Sequence, residues 1–118
     1  MSTRALGKIG EDFAAIYLRK LRYRFIDRNY RTPYGEIDLV FEDRGTLVIV
    51  EVKARWGRKY GSPAEAVTPR KLASIARATA ILKQRRKLPD RLRIDVIAIE
   101  LNEDDTLRSL RHIQNVTG

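Results

Sequence analysis

Three charged residues interrupt two apolar segments of the sequence, and their types and spacing suit hydrolytic chemistry. Asp38 lies in the first segment, and Glu51 and Lys53 follow in the second. Alternation along a β-strand places Glu51 and Lys53 on the same face. The separation from Asp38 fits a single hairpin, so we expect Asp38 to lie near Glu51 on the neighbouring strand. The sequence therefore predicts two carboxylates and one ammonium group at one end of a hairpin.

Two carboxylates placed together in an apolar sheet need a counter-charge, because a buried charge is costly unless it is paired or bound to metal. A divalent cation meets this need, and carboxylate oxygens with retained waters suit Mg²⁺ or Mn²⁺. Such a cation activates water and neutralises phosphate charge, while Lys53 would orient the water or stabilise the developing charge. This interpretation predicts phosphodiester hydrolysis. The alternative is a plain ion pair, with Lys53 between Asp38 and Glu51.

The balance of charge points to a polyanionic partner. The chain has 24 Lys and Arg residues against 15 Asp and Glu residues, a net charge of +9, and its pI is about 10.3. A basic domain of this size usually binds nucleic acid. The charge is concentrated between positions 70 and 93, where nine Lys or Arg residues accompany one Asp. We expect a nucleic-acid partner, DNA in particular; the alternative is that the charge serves only solubility and helix propensity.

The composition excludes several classes of site. The chain has 118 residues, of which 43% are apolar, with no cysteine and a single histidine, His112. Disulfides, thiolate zinc sites, cysteine nucleophiles and multi-histidine metal sites are therefore excluded. No apolar run reaches the ~18–20 residues of a membrane helix, and no secretory signal is recognisable. We expect a cytoplasmic protein with one domain, residues 1–118, and no membrane partner.

Hydrophobic periodicity predicts two helices and five strands in the order α-β-β-β-α-β-β. The first helix is expected from Ser2 or Thr3 to Leu21, and the second should be capped by Thr68 and end near Pro89. The strands are expected near residues 23–29, 36–41, 46–53, 92–101 and 107–113. The third is almost continuously apolar, which indicates a central strand covered on both faces. The fold class is thus α/β, with a mixed central sheet flanked by helices.

The order of these residues resembles a known nuclease superfamily. Asp38 followed by Glu51-x-Lys53, after an N-terminal helix, is similar to the PD-(D/E)xK nucleases, with Ile37 in place of the proline. The closest architecture is that of the archaeal Holliday-junction resolvases. Over nearly the whole chain, four motifs also resemble the small bacterial YraN-like proteins: Gly7-x-x-Gly10-Glu11, Gly35 to Val40, Val50 to Lys53, and Ala66 to Lys71. These resemblances imply a restriction-endonuclease-like core and nuclease activity.

The resemblance also implies roles for individual residues. Asp38 and Glu51 match the metal-binding carboxylates of the superfamily, and Lys53 matches its catalytic lysine. Glu11 matches an acid of the first helix that helps to hold the metal in resolvase-like members, although a solvated helix acid fits its position equally well. Glu36 shares the Asp38 face by alternation, and it either supports the metal-binding carboxylates or lies on the surface.

Basic and aromatic residues near the expected site suggest a surface for nucleic acid. The loop after the third strand contains four side chains able to hold phosphates or stack on bases: Arg55, Arg58, Lys59 and Tyr60. Three residues of the second helix either bind phosphate or are solvated: Arg70, Lys71 and Arg77. Further polar and aromatic residues are interpreted as structural, namely Trp56 at the rim of the core, Asp95 paired with Arg93, and His112.

Together these features predict a metal-dependent endonuclease that hydrolyses phosphodiester bonds in DNA, with branched or structured DNA as the expected substrate. Symmetric cutting of a junction needs two sites, so a homodimer is a plausible assembly. Two alternatives remain open at the level of the sequence. One is a non-catalytic nucleic-acid-binding protein with the same fold, and the other is a basic RNA-associated protein without a metal site.

Overall fold

The computed structural model describes residues 3–57 and 67–117, which form two helices and five strands in the predicted order. Neither helix in these ranges is long and apolar enough to cross a membrane. The elements are α1 (Thr3–Lys20), β1 (Arg24–Thr32), β2 (Gly35–Asp43), β3 (Thr46–Trp56), α2 (Pro69–Arg85), β4 (Arg91–Leu101) and β5 (Leu107–Ile113).

The five strands form one mixed sheet in the spatial order β1-β2-β3-β4-β5. Neighbours are antiparallel except β3 and β4, which run parallel from Thr46↔Arg91 to Trp56↔Leu101. The parallel pair confirms the crossover through α2. The tight turn between β2 and β3 has positive φ at both Arg44 (46°) and Gly45 (84°), as a two-residue hairpin requires.

Three predicted boundaries are wrong by three or four residues. The first strand continues beyond Asn29 to Thr32, because its ladder with β2 runs as far as Thr32↔Gly35. The third strand continues beyond Lys53 to Trp56, because its ladder with β4 runs along the whole strand. The second helix ends at Arg85, before Pro89, since Arg86 is extended (φ −138°) and its N–H closes the helix onto the Leu82 carbonyl. The predicted helix start is confirmed: Thr68 is the N-cap, and its hydroxyl accepts the Lys71 N–H at 3.2 Å.

The two helices cover opposite faces of the sheet, as the apolar third strand predicts. Val48 and Val50 of β3 belong to the core beneath α1, and Leu47 and Ile49 belong to the core beneath α2. Gly10 allows α1 to approach β3 closely, because a Cβ at this position would lie 2.6 Å from the Ala54 Cβ. This contact fixes the height at which α1 crosses the sheet.

A buried polar network connects strands β4 and β5 and gives the single histidine a structural role. Asp95 is fully buried and accepts hydrogen bonds from Arg93 Nε (3.0 Å) and the Asn115 N–H (2.9 Å), and His112 Nε2 lies 2.7 Å from it. Burial would raise the pKa of Asp95, but the hydrogen bonds from His112 and Arg93 outweigh it and lower that pKa. The pairing of Asp95 with Arg93 is confirmed, and Trp56 donates to Asp105 at the core rim.

The glycines of α1 provide a matched test of helix packing. Gly10→Ala should lower the free energy of unfolding by about 1–3 kcal/mol, because the added methyl overpacks the contact with Ala54. Gly7→Ala is the control: among the described residues, no other side chain or element lies within 4 Å of its added Cβ, so it should stabilise the helix by up to about 1 kcal/mol. Urea denaturation measures both. Equal effects of the two substitutions would mean that Gly10 does not set the packing of α1.

Candidate functional site

Asp38 and Glu51 lie side by side where the β2–β3 ladder ends. The last paired residues are Leu39 and Val50, so Asp38 and Glu51 are the next positions along the two strands. Asp38 Oδ2 accepts the Val52 N–H at 2.8 Å, which attaches the Asp38 side chain to the backbone of β3 directly after Glu51. The predicted meeting of the two carboxylates across the hairpin is therefore present.

Burial makes this pair electrostatically unfavourable. Glu51 is only 9% exposed, and its Oε2 is buried without a hydrogen-bond partner within the described part of the chain. Burial, reinforced by the Glu51 charge, raises the pKa of Asp38 to about 7. Burial also raises the pKa of Glu51, although Lys71 opposes this effect. At neutral pH the two groups therefore resist carrying two full negative charges, and a cation between them would relieve the conflict.

Lys71 is the cation that contacts this pair. The ion-pair alternative of the sequence analysis expected Lys53 instead. Lys71 Nζ lies 3.2 Å from Glu51 Oε1, whereas Lys53 is exposed. Lys71 was predicted to bind phosphate, and the Glu51 contact was missed. The only sequence signal was the Thr68-Pro69 helix start, which places Lys71 in the first turn of α2. The position of that turn over Glu51 depends on how α2 packs against the sheet.

Glu11 reaches the same region from α1. Its side chain is 14% exposed and accepts a hydrogen bond from Arg28 Nε at 3.2 Å. In the orientation that satisfies its amide, Asn29 donates to Glu11 and Glu36, at 3.1 Å to each. Burial raises the pKa of Glu11, and the charge of Asp38 adds to this shift. Glu11 therefore belongs to a group of four acidic residues that we call the acidic cluster, namely Glu11, Glu36, Asp38 and Glu51. It is partly buried, unlike an ordinary solvated helix acid.

Arg28 and Asn29 were missed by the sequence analysis. Arg28 also donates to Asp12 Oδ1 at 2.7 Å and to the Lys8 carbonyl at 3.2 Å, so it connects β1 to α1. Asn29 has a left-handed backbone (φ 54°) inside a strand, which interrupts the alternation of side chains. A polar strand at the edge of a sheet gives no sign of this irregularity in its sequence.

The other predicted residues are dispersed. Glu36 is half-buried and lies 3.9 Å from Arg31, and the Asn29 amide joins it to the acidic cluster. Arg70 is exposed, and the Arg77 guanidinium lies over the Tyr34 ring at 5.4 Å from its centre. The prediction that Arg55 lies in the loop after the third strand is wrong: it is half-buried in β3, one residue before that strand ends at Trp56. The remaining three candidates lie outside the described residues: Arg58, Lys59 and Tyr60.

The acidic cluster fits a divalent cation in its chemistry but is not a preformed cage. The unpartnered Oε2 of Glu51 and the raised pKa of Asp38 are features that a bound cation would satisfy. Within residues 3–57 and 67–117, however, no three acidic or histidine side chains converge closely enough to hold a metal. Mg²⁺ commonly uses one or two carboxylates and keeps several waters, so Asp38 and Glu51 are sufficient as protein ligands, with Glu11 adding negative charge nearby.

Comparison with known proteins gives one consistent match. A family model described as "Uncharacterised protein family UPF0102" matches residues 10–99. The chain is 50% identical to the UPF0102 protein of Geobacter sulfurreducens over 111 residues, covering 93% of this chain and 86% of the relative. It is 46% identical to that of Symbiobacterium thermophilum over 114 residues, covering 96% of each. These matches confirm the resemblance to the YraN-like proteins, and none of the names states an activity.

The conflict between the carboxylates predicts an unusual pH dependence. Because the pKa of Asp38 rises from 3.8 to about 7 on folding, the folded chain keeps a proton that the unfolded chain releases. Its contribution to stability is therefore lost as pH rises through this interval. Asp38→Asn removes the charge and keeps the shape, so it should melt at least as high as the wild type at neutral pH. The advantage should shrink towards pH 4.

Thermal melts at several pH values, without divalent cation, measure this effect. Glu103→Gln removes one exposed carboxylate elsewhere and should leave the pH dependence as in the wild type. If Asp38→Asn melts lower than the wild type throughout, Asp38 is stabilising as an ion-pair partner and the two carboxylates do not repel each other in the fold.

Proposed function

We propose that this chain, which belongs to the UPF0102 family, is a Mg²⁺- or Mn²⁺-dependent endonuclease that hydrolyses phosphodiester bonds in DNA. One observation carries the proposal: Asp38 and Glu51 are held together in a largely buried position, and one Glu51 oxygen lacks a partner among the described residues. A structural carboxylate pair of this kind destabilises the fold unless something binds it. A ligand bound by the pair would offset this cost at the end of the two apolar strands.

The position of each residue determines its role in the proposed reaction. Asp38 and Glu51 would hold the cation, which when bound supplies an activated water and neutralises phosphate charge. Lys71 fixes one Glu51 oxygen and so orients the carboxylate. Lys53 lies two residues after Glu51, on the same face by alternation, and is exposed, as a residue that contacts a phosphodiester must be. Its ammonium would stabilise the charge that develops on the phosphate.

The charge of the chain and the order of its motifs support a nucleic-acid substrate. The net charge of +9 favours a polyanion, and the succession of Glu11, Asp38, Glu51 and Lys53 resembles that of the PD-(D/E)xK nucleases. The likeness to resolvases favours branched or structured DNA. A homodimer would supply the second site that symmetric cutting of a junction requires.

A second candidate is a nucleic-acid-binding protein with the same fold and no catalysis. It is favoured by the Lys71–Glu51 ion pair, which already provides a cation at the site, and by the lack of a preformed ligand cluster in the described chain. In this case the carboxylates would have no catalytic role, and the basic surface would still bind nucleic acid.

One assay separates these candidates. Labelled linear duplex, single-stranded and four-way-junction DNA, together with structured RNA, are incubated with the protein and Mg²⁺ or Mn²⁺. Cutting of DNA that requires the cation supports the endonuclease. Retarded but intact DNA supports the binding protein, and retention of RNA alone supports an RNA-associated protein.

Substitution of Lys53 tests the chemical step. Lys53→Met should reduce cutting by about 10²–10³-fold, because the ammonium acts on the transition state, while DNA binding changes only a few-fold. Lys87→Met removes another exposed lysine, which follows α2, and should cut normally. Single-turnover cleavage and gel retardation measure the two properties separately. Cutting by Lys53→Met at the wild-type rate would remove Lys53 from the proposed site.

Stabilisation by the cation tests the metal site without a substrate. Mn²⁺ at a hundredfold excess over its Kd should stabilise the wild type by about 2.7 kcal/mol. Asp38→Asn should lose most of this gain, whereas Glu103→Gln should keep it. Melts with and without Mn²⁺ at low ionic strength give the comparison. If Mn²⁺ shifts the melting of none of the three proteins, the carboxylate pair does not bind metal and the binding-only candidate is preferred.

A further inference from the structure

An open cavity of about 750 Å³ lies between the N-terminal half of α1 and strand β1. We call it the α1–β1 groove. Its lining includes Arg4, Gly7 and Lys8 from the helix and Arg28 and Arg31 from the strand. Arg4, Lys8 and Glu11 recur at the four- and three-residue steps of one helix face, so α1 presents them together.

The groove is lined by four basic and two acidic residues, and most of its cations are available to a ligand. Arg28 is the exception, because Glu11, Asp12 and the Lys8 carbonyl use its guanidinium. The side chains of Lys8 and Arg31 are 73% and 77% exposed, and their ion pairs are long, at 3.7 and 3.9 Å. Exposed pairs of this kind contribute little, so a phosphate can replace the carboxylate partner at small cost. Arg4 is exposed as well.

The groove opens directly onto the acidic cluster. Glu11 and Glu36 line it, and the Asn29 amide contacts both. Asn29 lies between the residues paired with Leu39 and Ile37, which places it opposite Asp38 on the neighbouring strand. A chain that lies in the groove therefore ends beside the candidate cation site.

Gly7 forms a part of the groove without a side chain. A Cβ added there would meet no other side chain or element within 4 Å among the described residues, so on their account the position faces open space. Glycine in the middle of a helix costs up to about 1 kcal/mol relative to alanine. No packing contact in the described chain offsets this cost, in contrast to Gly10. An extended ligand can approach the helix backbone at this point.

The basic residues between positions 70 and 93, in and after α2, are less free than their number in the sequence indicates. Lys71 contacts Glu51, Arg86 contacts Asp27 and the Ile26 carbonyl, and Arg93 belongs to the buried Asp95 network. We propose that the α1–β1 groove, not the surface of α2, binds the phosphodiester backbone of one nucleic-acid strand and leads it to Asp38 and Glu51. This inference rests on the proposed function and names the route by which the substrate reaches the site.

The experiment measures binding of the full-length chain to labelled single-stranded and four-way-junction DNA in EDTA, at several salt concentrations. Arg4→Gln with Arg31→Gln should reduce the slope of log K against log[salt] by about 1.8 for the junction, at roughly 0.9 per lost phosphate contact, and by about 1.4 for the single strand, at roughly 0.7 per contact. The charge-matched control is Lys87→Gln with Arg108→Gln, both exposed and outside the groove, which should leave the slope unchanged.

A second variant fills the groove without changing its charge. Gly7→Leu should weaken DNA binding about tenfold or more, equivalent to about 1.4 kcal/mol, while its melting temperature stays at or above that of the wild type. Gly7→Ala, which adds one methyl to the same open position, should bind nearly as well as the wild type. Melting curves recorded on the same samples show that lost binding is not lost folding.

The outcomes separate the groove from the proposed function. If Arg70→Gln with Arg77→Gln lowers the slope and the Arg4 and Arg31 variant does not, the proposal that the groove binds DNA is wrong. The proposed nuclease activity is not contradicted by that result. Normal DNA binding by Gly7→Leu would likewise contradict binding in the groove. If the wild type binds no nucleic acid, the proposed function and the groove both fall.

Discussion

The placement of two acidic side chains side by side in a largely buried position is the constraint on which the site depends. Their mutual repulsion and their burial both act against ionisation, which is why the pKa of Asp38 is raised to about 7. The fold tolerates the pair because two contacts stabilise it. The backbone of β3 donates to Asp38, and α2 supplies the ammonium of Lys71 to Glu51. A buried oxygen of Glu51 has no hydrogen-bond partner in the described chain, which adds to the cost of burying the pair.

Strand β3 carries Glu51 and also contributes its apolar residues to the cores under both helices. Both helices therefore pack against the same strand. Gly10 brings α1 against Ala54, and the first turn of α2 comes over Glu51. Glu11 and Lys71, which are sixty positions apart in the chain, consequently approach the same end of the sheet from opposite faces. A rigid central strand is a suitable support for such a site, because side chains on strands are held more precisely than those on loops.

The basic character of the chain also has two physical roles that composition cannot separate. Arg93 is an internal residue whose guanidinium satisfies Asp95, Asp43 and Tyr23, and Arg28 joins β1 to α1. These cations stabilise the fold through short, partly buried contacts. In the α1–β1 groove, the ion pairs that the described residues show for the exposed Lys8 and Arg31 are long, so the charge of these two cations remains effective toward a ligand. Net charge predicts a polyanionic partner, and burial decides which cations can meet it.

The sequence by itself determined the element order, the central position of β3, the start of α2 at Thr68 and the meeting of Asp38 with Glu51. These features depend on local periodicity, capping and a two-residue turn, which act over a few neighbouring residues. Only the tertiary structure decided that Lys71 rather than Lys53 contacts Glu51, that Glu11 is partly buried beside Arg28, and that the open basic groove lies along α1. Each of these depends on the height and angle at which a helix packs on the sheet. That geometry is set by contacts such as Gly10 with Ala54, between residues far apart in the chain, which no local pattern encodes.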